Sequence, residues 1–145
     1  MNIAFFLTPK KDVIHLKNNT TMQEAVNTMY KYRYTAVPII NEKGKYVGTL
    51  TEGDLLYKLK KDESVSLKDM SNILVEDIPR YQINRPVSIN SNIKNLINIA
   101  KYQNFVPVVD DNNTFIGIIK RSDIIKYCYD IITVNDNELK EAMTI

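Results

Sequence analysis

The chain has 145 residues, 44% of them hydrophobic, and 19 basic against 17 acidic side chains leave a formal charge of +2. That length supports one shared core rather than two independent domains of ordinary size, and the near balance of charge argues against nucleic acid, which calls for a concentrated basic surface. The lone cysteine, Cys128, has no intrachain disulfide partner, so a reducing, cytoplasmic setting is expected and the thiol reads as a small buried hydrophobe.

In chain order, MNIAFFLTPKKD opens with an apolar run too short for a signal sequence or membrane span, and charge follows it instead of preceding it, so neither export nor a membrane partner is expected. A short extended segment over residues 13–16 precedes Met22, Ala25, Val26 and Met29, whose i, i+3, i+4, i+7 spacing predicts an amphipathic helix. Residues 36–40 form an apolar, β-branched run too short for a helix, hence a buried strand. Asn41-Glu42-Lys43-Gly44 then predicts a turn into a second strand over residues 46–50, and Leu55, Leu56 and Leu59 predict a closing helix. A polar connection follows, with a short helical piece around Leu67 to Leu74 and with Pro79 and Pro86 near its end.

The pattern then recurs. Residues 87–89 lead in, Ile93, Leu96, Ile97 and Ala100 repeat the helical spacing, residues 105–109 and 115–119 make a second hairpin around Asp110-Asp111-Asn112-Asn113, and Ile124, Ile125 and Cys128 line a closing helix. Pro38 and Pro107, Gly48 and Gly117, and Asp54 and Asp123 are each 69 apart (107 − 38, 117 − 48, 123 − 54), so the chain is an ungapped internal duplication over this stretch. A three-stranded sheet with helices on one face leaves the other face apolar. The expected fold is therefore α+β, with two tandem β-α-β-β-α repeats packed sheet to sheet about a pseudo-twofold axis. Its parts are residues 1–62 (first repeat with the N-terminal segment), 63–132 (linker helix and second repeat) and a tail, 133–145, which adds a terminal helix.

Ala36-Val37-Pro38 and Phe105-Val106-Pro107, each followed by Gly, two apolar residues and a polar-x-x-Asp, resemble the CBS domain, and the tandem arrangement is similar to a CBS pair across nearly the whole chain. The resemblance implies a disc-like regulatory module, commonly a homodimer. Its two related clefts often hold AMP, ATP, S-adenosylmethionine or cyclic-di-AMP as regulatory ligand, with no cofactor required. The TAVP run from Thr35 and the basic Lys120-Arg121 are similar to cyclic-di-AMP receptors of Gram-positive bacteria, although Ser122 stands where a second arginine would support that ligand.

An adenosine ligand needs an apolar slot for its base, main-chain groups at the base edge, a carboxylate for the ribose and a donor or cation for phosphate. In the first repeat Ile14 and Ala36 would wall the base, main chain near Val13 and Tyr34 would read its edge, Asp54 would take the ribose and Thr51 the phosphate. Thr35, Pro38, Val87, Phe105, Pro107 and Asp123 are candidates on matching positions. Thr51-Glu52-Gly53-Asp54 also reads as a helix capping box, but Lys120 replaces the threonine in the second repeat while Asp123 persists, which favours a ligand role. Lys120 and Arg121 read equally as phosphate ligands and as solvated charges.

His15 is the only histidine and has no partner for a metal or catalytic constellation, so it reads as a strand side chain. Tyr30, Tyr32 and Tyr34 crowd one helix end, where their rings cap a core edge. Arg80 and Arg85 read as surface residues. No nucleophile-base pair, metal cluster or Gly-rich phosphate loop is present, and enzymatic activity is not expected. The expected function is a nucleotide sensor acting on a partner protein in trans; a dimerisation scaffold with vestigial clefts and a nucleotide hydrolase are the competing readings.

Overall fold

The computed structural model describes residues 1–144. Its strands and helices run β1 (Thr8–Pro9), β2 (Leu16–Lys17), α1 (Met22–Tyr32), β3 (Ala36–Ile40), β4 (Tyr46–Thr51), α2 (Glu52–Lys61), β5 (Val87–Ser88), α3 (Ile93–Ala100), β6 (Phe105–Val109), β7 (Phe115–Lys120) and α4 (Arg121–Met143). One sheet has the order β2-β3-β4 and the other β1-β7-β6-β5, so the α+β duplication read from the sequence is present. Short 3-10 turns occupy the rest, including Leu67–Asn72, where Ser66 and Asp69 form a reciprocal cap.

Local chemistry explains the boundaries. Thr21 and Glu24 make a capping box at the start of α1, and Arg33 ends that helix in a left-handed conformation, φ 58°. The hairpin turns close through Gly44 (φ 77°) and Asn113 (φ 62°), residue types that tolerate positive φ. Asn41 Oδ1 accepts the N–H groups of Lys43 and Lys45, just as Asp110 Oδ1 accepts those of Asn112 and Thr114, and these bonds hold the Asp110 carboxyl below its ordinary pKa. The expected tail is no separate element, because α4 runs unbroken from Arg121 through Thr133 to Met143.

Each repeat's core also takes in a segment from elsewhere in the chain. Met70, Val75 and Ile78 of the connection are buried with Met22, Val37 and Leu50 in the first core. Ile3 and Phe6, which chain order places with the first repeat, are buried with Leu96, Val106 and Ile119 in the second. β1 pairs antiparallel with β7, Thr8 opposite Ile118 and Pro9 opposite Gly117. A Cβ at Gly117 would run into the Thr8 carbonyl oxygen, so glycine is what admits the N-terminal strand. Neither repeat is therefore self-contained.

The sheets meet around a third cluster, Val13, Ile40, Tyr46, Val109 and Phe115. Its members and neighbours pair with their own counterparts 69 residues on. Ile40 and Val109 share the cluster, Tyr46 and Phe115 stack at 6.4 Å, Lys45 bridges Thr114, and Asn104 Nδ2 donates to Thr35 Oγ1 at 3.4 Å. A residue touching its own copy is the mark of a twofold axis, so the pseudo-twofold passes between these pairs. Each large apolar side chain buried here contributes about 1.5–3 kcal/mol.

Candidate functional site

Pairing within each sheet leaves a gap that becomes the cleft. β2 runs parallel to β3 but pairs only with Ile39 and Ile40, and Pro38 has no N–H with which to extend that ladder. Ala36, Val37 and Pro38 thus lack a partner on the β2 side. β5 and β6 repeat the arrangement, with pairing at Val108 and Val109 only and Pro107 just before them.

Above the free half of β3 lies a cleft of about 350 Å³ between the repeats, at the lower end of the ~300–1,000 Å³ range of small-molecule sites. The first repeat lends it Val13, Ile14, Arg33, Tyr34, Thr35, Ala36 and Pro38, the second Asn104, Phe105, Ile118, Lys120 and Ser122, and Thr8 and Asp12 complete it. Its walls are apolar and its rim carries Arg33 and Lys120 against Asp12. The Arg33 guanidinium lies 4.3 Å from the centre of the Tyr30 ring, and Tyr32 stacks on Tyr34. Lys120 gives α4 no side-chain cap; Arg121 N donates to Asn104 O at 3.0 Å, which leaves the N–H groups of Ser122 and Asp123 in that first turn uncapped. Arg121 Nη2 donates to Asn104 Oδ1, and the main-chain groups of Ile14 have no hydrogen-bond partner among the described residues.

The pseudo-symmetric cleft holds only about 130 Å³ and is lined by Ala36, Thr49, Thr51, Gln82, Asn84, Tyr102, Gln103, Asn104 and Phe105. Several polar groups in and beside it are already paired. Asp54, 4% exposed, accepts from the main chain of Thr51 at 2.9 Å and of Tyr81 at 3.1 Å, while Thr51 Oγ1 accepts from Asp54 N. The capping box that the sequence also allowed is present. Tyr46 donates its hydroxyl to Asn84 O and lies 2.7 Å from Thr49 Oγ1, and burial pushes the Tyr46 phenol up to about 12.

The structure brings together Val13, Ile14, Tyr34, Thr35, Ala36, Pro38, Phe105 and Lys120 in the open cleft. Thr51 lines only the closed one, and Asp54 lines neither. Arg121 lines neither cleft and is tied to the open one only by its bond to Asn104. Asp123 lies beyond Thr8, in a hollow shared with Phe5, Lys126 and Asp130, with no hydrogen-bond partner of its own among the described residues. Pro107 is buried and lines neither cleft, and Val87, 3% exposed, belongs to the core. Val87 pairs with Val108 as Leu16 pairs with Ile39, so the leading segments are offset by 71 residues (87 − 16) rather than 69, and Arg85 stands where Ile14 does. His15 falls just before β2, its Nδ1 3.0 Å from Val13 O. Sequence reasoning missed Thr8, Asp12, Arg33, Asn104, Ile118 and Ser122 as cleft residues. The 69-residue offset from Thr35 would have found Asn104, whereas nothing local points to Thr8.

A family model described as the CBS domain matches residues 6–61 and again 75–130, so the chain belongs to the CBS domain family and contains a tandem CBS pair. The CBS domain protein of Streptococcus pneumoniae is 25% identical and superposes with a TM-score of 0.79, covering 88% of this chain and 86% of that one. CbpB, solved in complex with cyclic-di-AMP, is 22% identical with a TM-score of 0.81 over 95% of this chain and 91% of its own. The inosine-5'-monophosphate dehydrogenase of Methanocaldococcus jannaschii is 29% identical over 118 residues, 80% of this chain but 22% of the enzyme. The chain spans 21–66% of the length of the first three curated relatives it matches. Among the described residues no helix is long and apolar enough to cross a membrane.

Proposed function

We propose that the chain is a non-catalytic regulatory module that binds one adenosine-containing nucleotide in the open cleft and passes its occupancy to a partner protein in trans. The observation that carries this reading is the approximately 350 Å³ slot walled by Ile14, Ala36 and Phe105, with Lys120, Ser122 and an uncapped helix start at one end. The base enters between those apolar walls with its edge at the main chain of Ile14 rather than of Val13 or Tyr34, whose N–H groups donate to Lys10 O and Met29 O. Phosphate meets Lys120, Arg33 and the N–H groups of Ser122 and Asp123 in the first turn of α4. Asp123, with no side-chain partner among the described residues, lies in the neighbouring hollow that shares Thr8 with the cleft, and it takes the ribose where the sugar runs out over Thr8.

AMP, ATP and cyclic-di-AMP are the candidate ligands, each able to place one adenosine between these walls. At 22% identity the likeness to CbpB carries the fold, and the ligand comes to this chain through its own cleft residues. Occupancy stabilises one arrangement of the two repeats, which a partner distinguishes. A homodimer, set in the cytoplasm, is part of the proposal: Leu56 of α2 and Ile125, Tyr129 and Ile132 of α4 are exposed apolar residues suited to a second copy. The same exposed residues favour the scaffold as the second reading.

Isothermal titration with AMP, ATP, S-adenosylmethionine and cyclic-di-AMP decides between them. Saturable heat with at least one, at one site per chain, is expected; no heat with any of the four leaves the scaffold.

A further inference from the structure

The closed cleft is filled by the chain itself. Gln103 occupies the position of Tyr34 in the second repeat (103 − 34 = 69), yet Tyr34 is 44% exposed while Gln103 is 6% exposed. Its carboxamide turns into the cleft, where Oε1 accepts from Arg85 N at 2.9 Å and Nε2 lies 3.2 Å from Arg85 O and 3.4 Å from Phe105 O. Arg85 is the counterpart of Ile14, whose main-chain groups have no partner on the open side. A carboxamide sets a donor beside an acceptor, the same complement that the edge of an adenine ring presents.

We infer that the closed cleft is a base slot occupied from within by Gln103, with residues 80–85 as a strap across it, so that the chain takes a single nucleotide and the second site is latent. The strap is pinned along its length. Tyr81 N donates to Asp54, Gln82 Nε2 to Tyr102 O, and Asn84 O accepts from Tyr46, while the Tyr81 ring packs edge-on against Tyr57 at 5.2 Å. Asp54, which would otherwise meet a ribose, is consumed by Tyr81. The cleft that carries the fuller ligand motif in sequence is the one unable to use it.

The stoichiometry rests on the proposed nucleotide function, but the latch itself does not, and the experiment separates the two. Amide hydrogen exchange is followed at Arg85 in the wild type, in Gln103→Met, which keeps side-chain volume without the hydrogen bonds, and in Gln103→Ala. Each protein is also titrated with ATP. Expected are a protected Arg85 amide in the wild type, exchange faster by roughly tenfold in both variants, as loss of one hydrogen bond of ordinary strength implies, one ATP per wild-type chain and a second, weaker site in Gln103→Ala. A wild-type Arg85 amide that exchanges freely, two ATP sites in the wild type, or a Gln103→Ala protein held at one site overturns the inference. Absence of ATP heat in every protein removes the stoichiometry arm and bears on the proposed function, leaving exchange at Arg85 to decide the latch.

Discussion

The two clefts come from the same local pattern and differ in what fills the free edge beside each proline. On the open side that edge faces Ile14, whose main chain has no hydrogen-bond partner among the described residues, and the following helix begins with no side-chain cap from Lys120. On the closed side Gln103, Tyr81 and the Thr51-Asp54 box satisfy the equivalent groups internally. Buried polar groups must find partners, and a site stays available only where the chain declines to supply them. On the proposed reading, binding capacity follows from unsatisfied main chain rather than from the presence of a motif.

The largest effect is expected at the sheet edges that distinguish the halves. A Cβ at Gly117 meets the backbone of Thr8, whereas one at Gly48 meets the Arg80 side chain, 2.8 Å from Nε. Both glycines have φ near 155° and share the backbone penalty of roughly 1–3 kcal/mol. Gly117→Ala also displaces β1, and with it the purchase of Ile3 and Phe6, so it is expected to cost about 2–3 kcal/mol more than Gly48→Ala, whose neighbour swings aside. Urea denaturation of the two variants measures the difference; equal losses would show that the N-terminal strand is not what separates the edges.

The two aspartates give the next largest contrast, and in opposite observables. Asp54→Ala removes a cap and strands the Tyr81 N–H, at about 1–3 kcal/mol of stability, and leaves nucleotide affinity within twofold. Asp123→Ala is expected to keep stability within about 0.5 kcal/mol and to weaken binding roughly tenfold or more, the scale of a hydrogen bond to a charged group. A swapped result, binding lost with Asp54 and retained with Asp123, would move the site to the other cleft.

These contrasts also mark what could be read in advance. The duplication, both hairpins with their positive-φ turn residues and the four helices follow from spacing and turn chemistry, which are local. Packing of Ile3 and Phe6 on the second repeat was hidden, because their partners lie about a hundred residues away and no periodicity reports them. Val87 was misplaced as a cleft residue because two extra residues in the second leading segment break the 69-residue register just where the alignment carries no punctuation. The sequence motif at Thr51 and Asp54 satisfied both a cap and a ligand site, and only the position of Tyr81 N distinguishes them.

Tyr46 and its counterpart Phe115 supply the smallest effect. The Tyr46 hydroxyl donates to Asn84 of the strap and accepts from Thr49, while Phe115 has no hydroxyl. Burial raises the Tyr46 phenol from 10.0 to about 12, so folding favours the neutral form. The stability this contributes is complete below pH 10, where the unfolded phenol is still protonated, and is lost as pH rises toward 12. Linkage sets the loss at about 1.4 kcal/mol by pH 11. In Tyr46→Phe that component of the alkaline decline should vanish, with a cost at pH 7 of about 1–2 kcal/mol because Asn84 O and Thr49 lose a partner. Thermal melts of both proteins at pH 8 and pH 11 compare the slopes. Parallel declines would mean that the hydroxyl does not hold the strap, and the closed side would then depend on Gln103 and Asp54 alone.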